Sequence, residues 1–549
     1  MPSVVRSVLG IVVTAAALGA QSPAPGFRML SAHASTDTYL IDLAGEVVHV
    51  WPGEHPPGNS VYLEPDGTLL RTETLPGGPN IGGRGGALKR IAFDGTVLWN
   101  WQYADDNGWA HHDVALMPNG NVLMIAWDRM SAADAIAAGR NPALLASDDW
   151  LPDAIIEVRQ TGPNSADIVW EWHLMDHVVQ DFDPTKPNFG VIRDHPERVD
   201  LNYPPEARVT GEWNHCNAID YDPDRDLIVL SSPFVGELWI IDHSTTTAEA
   251  ASHGGGDYNF GGDILYRWGN PEAYGVGTFL DRKLFFHHGT NFIDAGLPGA
   301  GNLLVFNNRA GTLSAQDYSS LVELELPRTF WIVPGQRYGP TAPVWEFTAP
   351  DPTSFYSAIV SSVQRLPNGN TLALAGQSPH LLEVDPLGTI VWEHFPTEPI
   401  VPAEPGIAFR VGYVDRTFWT STRELSVSAG GSVDFHVVAG PSHAADFYLV
   451  LGSASGVAPG VTFNQDVRLA LNFDGYMSTT LNSANTFPFS NTLGTLDASG
   501  RADGSFTLPG GILPAAAIGL EFHHSFVLFD ADSMLPVRAG NPVPLTWVD

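Results

Sequence analysis

Short runs of alternating apolar and polar residues dominate the chain from about residue 27 to residue 415. Period-two alternation reads as β-strands, and the Gly, Pro, Asn and Asp clusters between them read as turns. Two elements recur. The first is a β-branched run ending in an aromatic residue: Gly45 to Trp51, Gly95 to Trp101, Ile168 to Trp172, Ile264 to Trp268, Val344 to Phe347 and Thr389 to His394. The second is a polar turn between two strands: Glu64 to Gly67, Pro118 to Asn121, Asp222 to Asp224, Pro298 to Gly301 and Pro367 to Asn370. Repeats of about 40–50 residues with several strands each are the mark of a β-propeller. Insertions at 129–150, 173–212 and 243–262 stretch the spacing. Six aromatic elements predict six blades. With five turns, one blade is irregular or is completed by the N-terminal strand near Asp37 to Asp42. A stacked sandwich array is the alternative, but it would not bring distant repeats to one axis.

The pattern changes after Thr417 to Ser428. Strands are expected at Ser432 to Val438, Asp446 to Leu451, Val467 to Phe473, Ser505 to Leu508 and Leu520 to Leu528, in a Gly/Ser/Ala-rich background. The reading is all-β: a six-bladed β-propeller over 27–423, then a C-terminal β-sandwich over 424–549. The His523-His524 pair in that module has no acidic or Cys companion at ligand spacing and is assigned no chemistry.

Charge and cysteine content narrow the partners. A net charge of −34 argues against nucleic acid or an anionic membrane, since both need basic patches. Any anion site must be a local exception. Residues 1–20, with Arg6, an apolar stretch and Gly19-Ala20, read as a secretory signal peptide, which makes the protein secreted or periplasmic. That stretch is too short for an ordinary transmembrane helix and no later one is longer, so no membrane insertion is expected. The single cysteine, Cys216, excludes an intramolecular disulfide. It reads as a small buried hydrophobe, with a thiol nucleophile as the alternative.

Candidate chemistry lies in three histidines that open strands. His112, His215 and His288 stand six, eight and ten residues before the prolines of their turns. These offsets share a parity, so without bulges all three side chains face the same way. A propeller brings equivalent strand starts around one funnel. Convergent imidazoles suit nucleophilic catalysis, acid/base work or metal ligation. The bland reading is three satisfied polar residues at strand ends. Metal ligation is the weaker option, because Asp113 faces away from His112. The run Asp176-His177, Asp181, Asp183 reads as a solvated acidic rim, or alternatively a Ca²⁺ site. No metal and no cofactor is expected, and no phosphate loop or serine nucleophile elbow appears.

Taken together, Asn214-His215-Cys216-Asn217 with Tyr221-Asp222-Pro223 and Ser231-Ser232, His112-Asp113 with its Pro-Asn-Gly-Asn turn, and His288 with Gly301 to Asn308 resemble the bacterial arylsulfotransferases. The resemblance spans roughly 30–415 and omits the C-terminal module. It implies an exported six-bladed propeller that moves a sulfuryl group from an aryl sulfate to a phenol through a sulfohistidine. On that reading His288 is the sulfated nucleophile, His215 and Asn217 bind the sulfuryl group, and His112 or adjacent His111 is a further funnel histidine. The family pattern places a sulfate-binding arginine after Ser231-Ser232, where this chain has Pro233. Arg309 or Arg410 is the expected substitute. A propeller that only binds sulfated or anionic ligands, and a purely structural surface propeller, are the rival readings. Activity is expected to rise with pH through the ordinary histidine range.

Overall fold

The computed structural model describes residues 22–206, 210–402, 406–465 and 467–549; the expected signal peptide lies outside the described residues. Six four-stranded antiparallel sheets form the six blades. Blade II runs through Pro57–Leu63, Leu69–Thr74, Gly86–Ile91 and Val97–Gln102. Blade III uses Gly108–Leu116, Val122–Asp128, Asp153–Gly162 and Ser165–His173. Blade IV uses Ala218–Asp222, Leu227–Ser232, Glu237–Asp242 and Tyr266–Trp268. Blade V uses His288–Phe292, Leu303–Asn307, Ser320–Leu324 and Trp345–Phe347. Blade VI uses Ser362–Arg365, Thr371–Ala375, His380–Val384 and Ile390–His394.

Blade I closes the ring. Its innermost strand, Ala408–Val414, comes from the far end of the propeller and pairs antiparallel with Phe27–Ala32. Thr38–Ile41 and Val47–Trp51 complete it. This explains the missing sixth turn. The five observed turns each join the first and second strands of a blade, and in blade I those two strands are not consecutive in the chain. The six aromatic elements are the six outermost strands. Five of them are partly exposed and Tyr266–Trp268 is buried, whereas second strands such as Leu227–Ser232 and Leu303–Asn307 are buried on both faces between neighbouring blades.

The insertions 173–212 and 243–262 pack as a cap on blades III and IV. Leu174, Val178, Val199, Leu201 and Ala250 share one apolar cluster with Trp172, Trp213 and Trp239.

In the C-terminal module, the expected sandwich is met in part. Ten of its strands form one sheet rather than two separate hydrogen-bonded layers, and Val461–Thr462 pairs apart with Arg468–Leu469. Glu424–Ser426 bridges the halves, pairing with Gly430–Val438 on one side and parallel to Val543–Val548 on the other. The sheet rolls on itself, so Val433, Phe435 and Phe506 from one half meet Val450, Phe526 and Leu528 from the other in a single core. Alternation along each strand fits both arrangements, because the inner face is apolar in either; only the corner pairing separates them. Phe418–Thr420 already pairs in this sheet, ahead of residue 424. No helix among the described residues is long and apolar enough to cross a membrane.

Candidate active site in the funnel

The three expected histidines come together, but not through strand parity. His112 has φ +51° and His215 φ +56°, and Phe286, two residues before His288, has φ +56°. His215 precedes its strand altogether, and the pairing slips between Ala110 and Val114 and between His288 and Asn291. Left-handed backbone at non-glycine residues costs on the order of 1–3 kcal/mol each and persists where the surroundings enforce it. Here it swings the rings inward. His112 and His215 meet edge to face with ring centroids 4.5 Å apart. His112 and His288 each lie 6.0 Å from Phe409 of the closing strand. Gly83 makes room for the His112 ring, since a Cβ there would lie 2.0 Å from its atoms.

Each ring is held through Nδ1. His111 has Nε2 3.0 Å from Asp153 Oδ1, an electrostatic contact, and Nδ1 2.7 Å from His112 Nδ1. With the His111 hydrogen on the side of the carboxylate, His112 Nδ1 is the donor of that pair. His215 Nδ1 donates to buried Glu212. His288 Nδ1 lies 2.8 Å from Asn308 Oδ1 and 3.0 Å from the Phe286 carbonyl, and its Nε2 accepts from the Val360 N–H at 3.2 Å. Asn308 Nδ2 donates to the carbonyls of Ser357 and Val360, which fixes the amide orientation and hence the His288 tautomer. His112, His215 and His288 therefore carry hydrogen on Nδ1, and His288 keeps its lone pair on Nε2.

Burial keeps the His112 and His288 rings neutral. His288 is depressed to about 3 by desolvation first, with His215 and Arg309 adding to it against the Asn308 hydrogen bond. His112 is pushed well down by desolvation and then by His215, His111, His288 and His33. His33, from blade I, is a fifth ring in the cluster, after His111, His112, His215 and His288. It lies in the turn after Phe27–Ala32 and has no turn proline six to ten residues downstream, the feature that marks His112, His215 and His288.

The other expected residues divide. Asn217 is sealed in the structure, with Nδ2 donating to the His287 carbonyl at 2.9 Å; it pins blade IV to blade V and is not a free donor. His287 turns away, its Nε2 against the Glu237 carbonyl. Arg410 is committed to Asp113 at 2.8 Å, an ion pair buried beneath the histidines where Ser60 and Tyr62 also donate to that carboxylate. Arg309 stacks on Phe286 at 4.2 Å, donates from Nε to the Ala358 carbonyl, and has no carboxylate within ion-pair distance among the described residues. It is the one expected arginine whose terminal nitrogens are not taken up by a carboxylate. Asp153 Oδ2 accepts from Asn214 Nδ2 at 2.6 Å and from the Cys216 N–H, so it fixes the loop that presents His215. Burial, and then Asp153, push the Cys216 thiol well up, which removes the thiolate alternative.

Sequence reasoning missed Glu212, Asp153, Asn308 and Val360. Glu212 stands three residues before His215, a spacing that carries meaning in a helix but not in this loop. Asn308 belongs to the Asn307-Asn308 motif, yet its partner lies on another strand. Val360 (φ +53°) and Ser361 (φ +104°) contribute backbone geometry, which side-chain patterns do not encode. Aromatic rings complete the wall: Phe234 stacks on His215 at 4.4 Å, and Phe286 lies 5.7 Å from Phe234 and 5.8 Å from His288.

The acidic-rim reading of 176–183 holds only for part of that run. His177 is fully buried and faces Asp263. Among the described residues, the one set of three His, Cys, Asp or Glu with ligand atoms mutually within 4.8 Å is His177, His253 and Asp263, away from the funnel.

Comparison with known proteins gives three results. No curated protein matches the chain. Solved structures match weakly. A protein of unknown function from Bacteroides caccae is 15% identical, with 67% of this chain and 93% of that one covered and a TM-score of 0.37. The virginiamycin B lyase of Staphylococcus aureus is 11% identical, with 69% and 83% covered and a TM-score of 0.33. Similarity at that level says nothing about this site. The model of the arylsulfotransferase family (ASST) matches residues 13–246, a stretch that holds His111, His112, His215 and Asn217 and ends before His288. Over residues 13–246 this chain thus resembles the arylsulfotransferase family.

Proposed function

We propose that the funnel transfers a sulfuryl group from an aryl sulfate to a phenol, with His288 as its transient carrier. The observation that supports this most is the state of His288: neutral, Nδ1–H fixed by Asn308, the Nε2 lone pair capped only by the Val360 N–H, with the Arg309 guanidinium alongside. In the first step Nε2 attacks sulfur, an S–N bond forms, the S–O bond to the donor breaks, and the phenolate leaves with that electron pair. Val360 N–H, displaced from Nε2, then faces a sulfuryl oxygen. Together with Arg309 it supplies donors to charge that develops on peripheral oxygens, as in phosphoryl transfer. In the second step the acceptor phenol oxygen attacks sulfur, its proton passes to His215 Nε2, and the S–N pair returns to the imidazole. Glu212 holds His215 in the tautomer this requires. The rings of Phe234, Phe286 and Phe409 suit an aryl group.

The test is turnover of a chromogenic aryl sulfate with and without a phenol, in wild type and in His288→Asn. The variant should lose donor cleavage and transfer together. Quenching the wild type after donor alone should place an acid-labile sulfo group on the His288 peptide. Unchanged activity in His288→Asn overturns the mechanism. The second reading is a propeller that binds sulfated ligands without turnover. Pro233 in the position of the family's arginine, with Arg410 locked to Asp113, favours it. Saturable binding of the aryl sulfate with no release of phenol would establish that reading instead.

A further inference from the structure

Away from the funnel, two insertions meet at three side chains that the sulfuryl chemistry does not use. His177 ends the helical turn Leu174–His177 that follows blade III, and His253 and Asp263 belong to the excursion before the last strand of blade IV. His177 and Asp263 are buried, with side chains 0% and 3% exposed, and His253 is 47% exposed. His177 Nδ1 and His253 Nδ1 both stand 2.8 Å from the same oxygen, Asp263 Oδ1.

The hydrogen positions follow from the partners. His177 Nε2 lies 2.8 Å from the Ala250 carbonyl, which can only accept, so Nε2 carries the hydrogen. On a neutral ring Nδ1 is then a lone pair aimed at a carboxylate oxygen at 2.8 Å. Two such acceptors stay together only with positive charge between them, either a proton or a metal ion. The ring cannot turn away: it stacks on Trp172 at 5.3 Å with 4° between planes, and a Cβ on Gly262 would lie 2.6 Å from it. An imidazole whose second nitrogen donates to a backbone carbonyl is the usual setting of a metal-ligating histidine. Arg198, with Nε 3.7 Å from Asp263 Oδ2, engages the other carboxylate oxygen and leaves Oδ1 to the two rings.

We propose that His177 Nδ1, His253 Nδ1 and Asp263 Oδ1 bind a divalent transition cation of the zinc class, with a fourth position open to solvent beside His253. Two imidazoles and one carboxylate form a standard zinc donor set. Tetrahedral donors at about 2.0–2.1 Å from a metal lie roughly 3.3 Å apart, so the donors must open by about half an ångström. His253, the exposed ring, supplies that movement on its side, and a small rotation of the Asp263 carboxylate supplies it on the side of the fixed His177 ring. The ion would tie the two insertions together.

The test uses the full chain, stripped with a chelator and dialysed, then titrated with Zn²⁺ by calorimetry and with Co²⁺ by visible absorption. Wild type should take up one equivalent at this site, show the d–d bands of a tetrahedral cobalt centre, and melt at a higher temperature with Zn²⁺. His253→Gln keeps a hydrogen bond to Asp263 but loses the imidazole; it should bind at least about 100-fold more weakly and lose the thermal shift. His215→Asn, which removes a funnel ring, should leave the cobalt bands and the shift intact. Absence of uptake in wild type, or uptake that His253→Gln leaves unchanged, overturns the proposal and assigns the bridging charge to a proton. Loss of uptake in His215→Asn alone would move the metal to the funnel and overturn it equally.

Discussion

Asn308 accepts from His288 Nδ1 at 2.8 Å while its own Nδ2 donates to the Val360 carbonyl at 2.7 Å. One buried amide thus joins the Phe286 carbonyl in setting the tautomer of the ring, and holds the loop whose N–H caps the opposite nitrogen. Asn308→Ala should lower turnover of an aryl sulfate by about 100-fold or more, comparable to loss of a preorganised oxyanion donor. It should also leave buried carbonyls unpaired, at about 1–3 kcal/mol each. Nitrogen NMR of the imidazole would show wild-type His288 protonated at Nδ1 and the variant as a tautomer mixture. A variant with wild-type turnover removes the positioning role.

The buried histidines make stability sensitive to acid. His288 and His524 are depressed to about 3, and His112 and His287 lie well below the usual value, in each case through desolvation first. Their unfolded value is near 6.5. Between these limits the unfolded chain binds more protons, so stability is present above about pH 6.5 and is lost as pH falls toward 3. The melting temperature should drop progressively below about pH 6. His288→Asn should reduce the slope by up to about 1.4 kcal/mol per pH unit in that window. The expectation that activity rises through the ordinary histidine range also changes, since His288 is already neutral there. A rise between pH 6 and 8 that survives in an enzyme retaining His288 belongs to another group.

Arg309 and Arg410 should separate by what they damage. Arg309→Ala removes a guanidinium that faces no carboxylate among the described residues, so the melting temperature should move little while turnover falls by about 3 kcal/mol, roughly 100-fold. Arg410→Ala strands Asp113 as an unpaired buried carboxylate and should cost about 3–5 kcal/mol of stability. Denaturant unfolding beside steady-state rates distinguishes them. Equal loss of stability in both variants contradicts the assignment of Arg309.

Cys216 should be inert. Its thiol is fully buried and its N–H is held by Asp153, so a thiol-specific reagent should label nothing in the native protein and one equivalent in urea. Native labelling at a rate similar to unfolded chain would contradict the buried environment.

Much of the propeller was legible because blade construction repeats. Trp51, Trp101, Trp172, Trp268, Phe347 and Trp392 mark outer strands, and the Pro/Asn/Gly turns mark the first hairpin of five blades. The rolled C-terminal sheet was not legible, because the alternation of Val433 and Phe435 records an inner face and not how its edges pair. In the funnel the histidines could be named from sequence, yet the reason for their convergence could not. Parity assumes regular strands, and the rings turn inward through left-handed backbone at His112 and His215. Asn217 and Arg410 carried the right chemistry, but Asn217 is spent on the His287 carbonyl and Arg410 on Asp113. Those commitments depend on contacts between blades.

The pairing of Phe27–Ala32 with Ala408–Val414 also sets an order of events. During synthesis the first three strands of blade I emerge early and wait for their innermost partner until nearly the whole ring has been made. Loop-closure entropy for so distant a pairing must be met before any contact rewards it, so ring closure is a late and slow event. Until then Phe27–Ala32 exposes an unpaired edge able to recruit a strand from another chain. Phe409, which stands beside both His112 and His288, arrives on that same last strand. An unclosed ring therefore has an incomplete funnel, and the chain acquires its candidate chemistry only when its circle is shut.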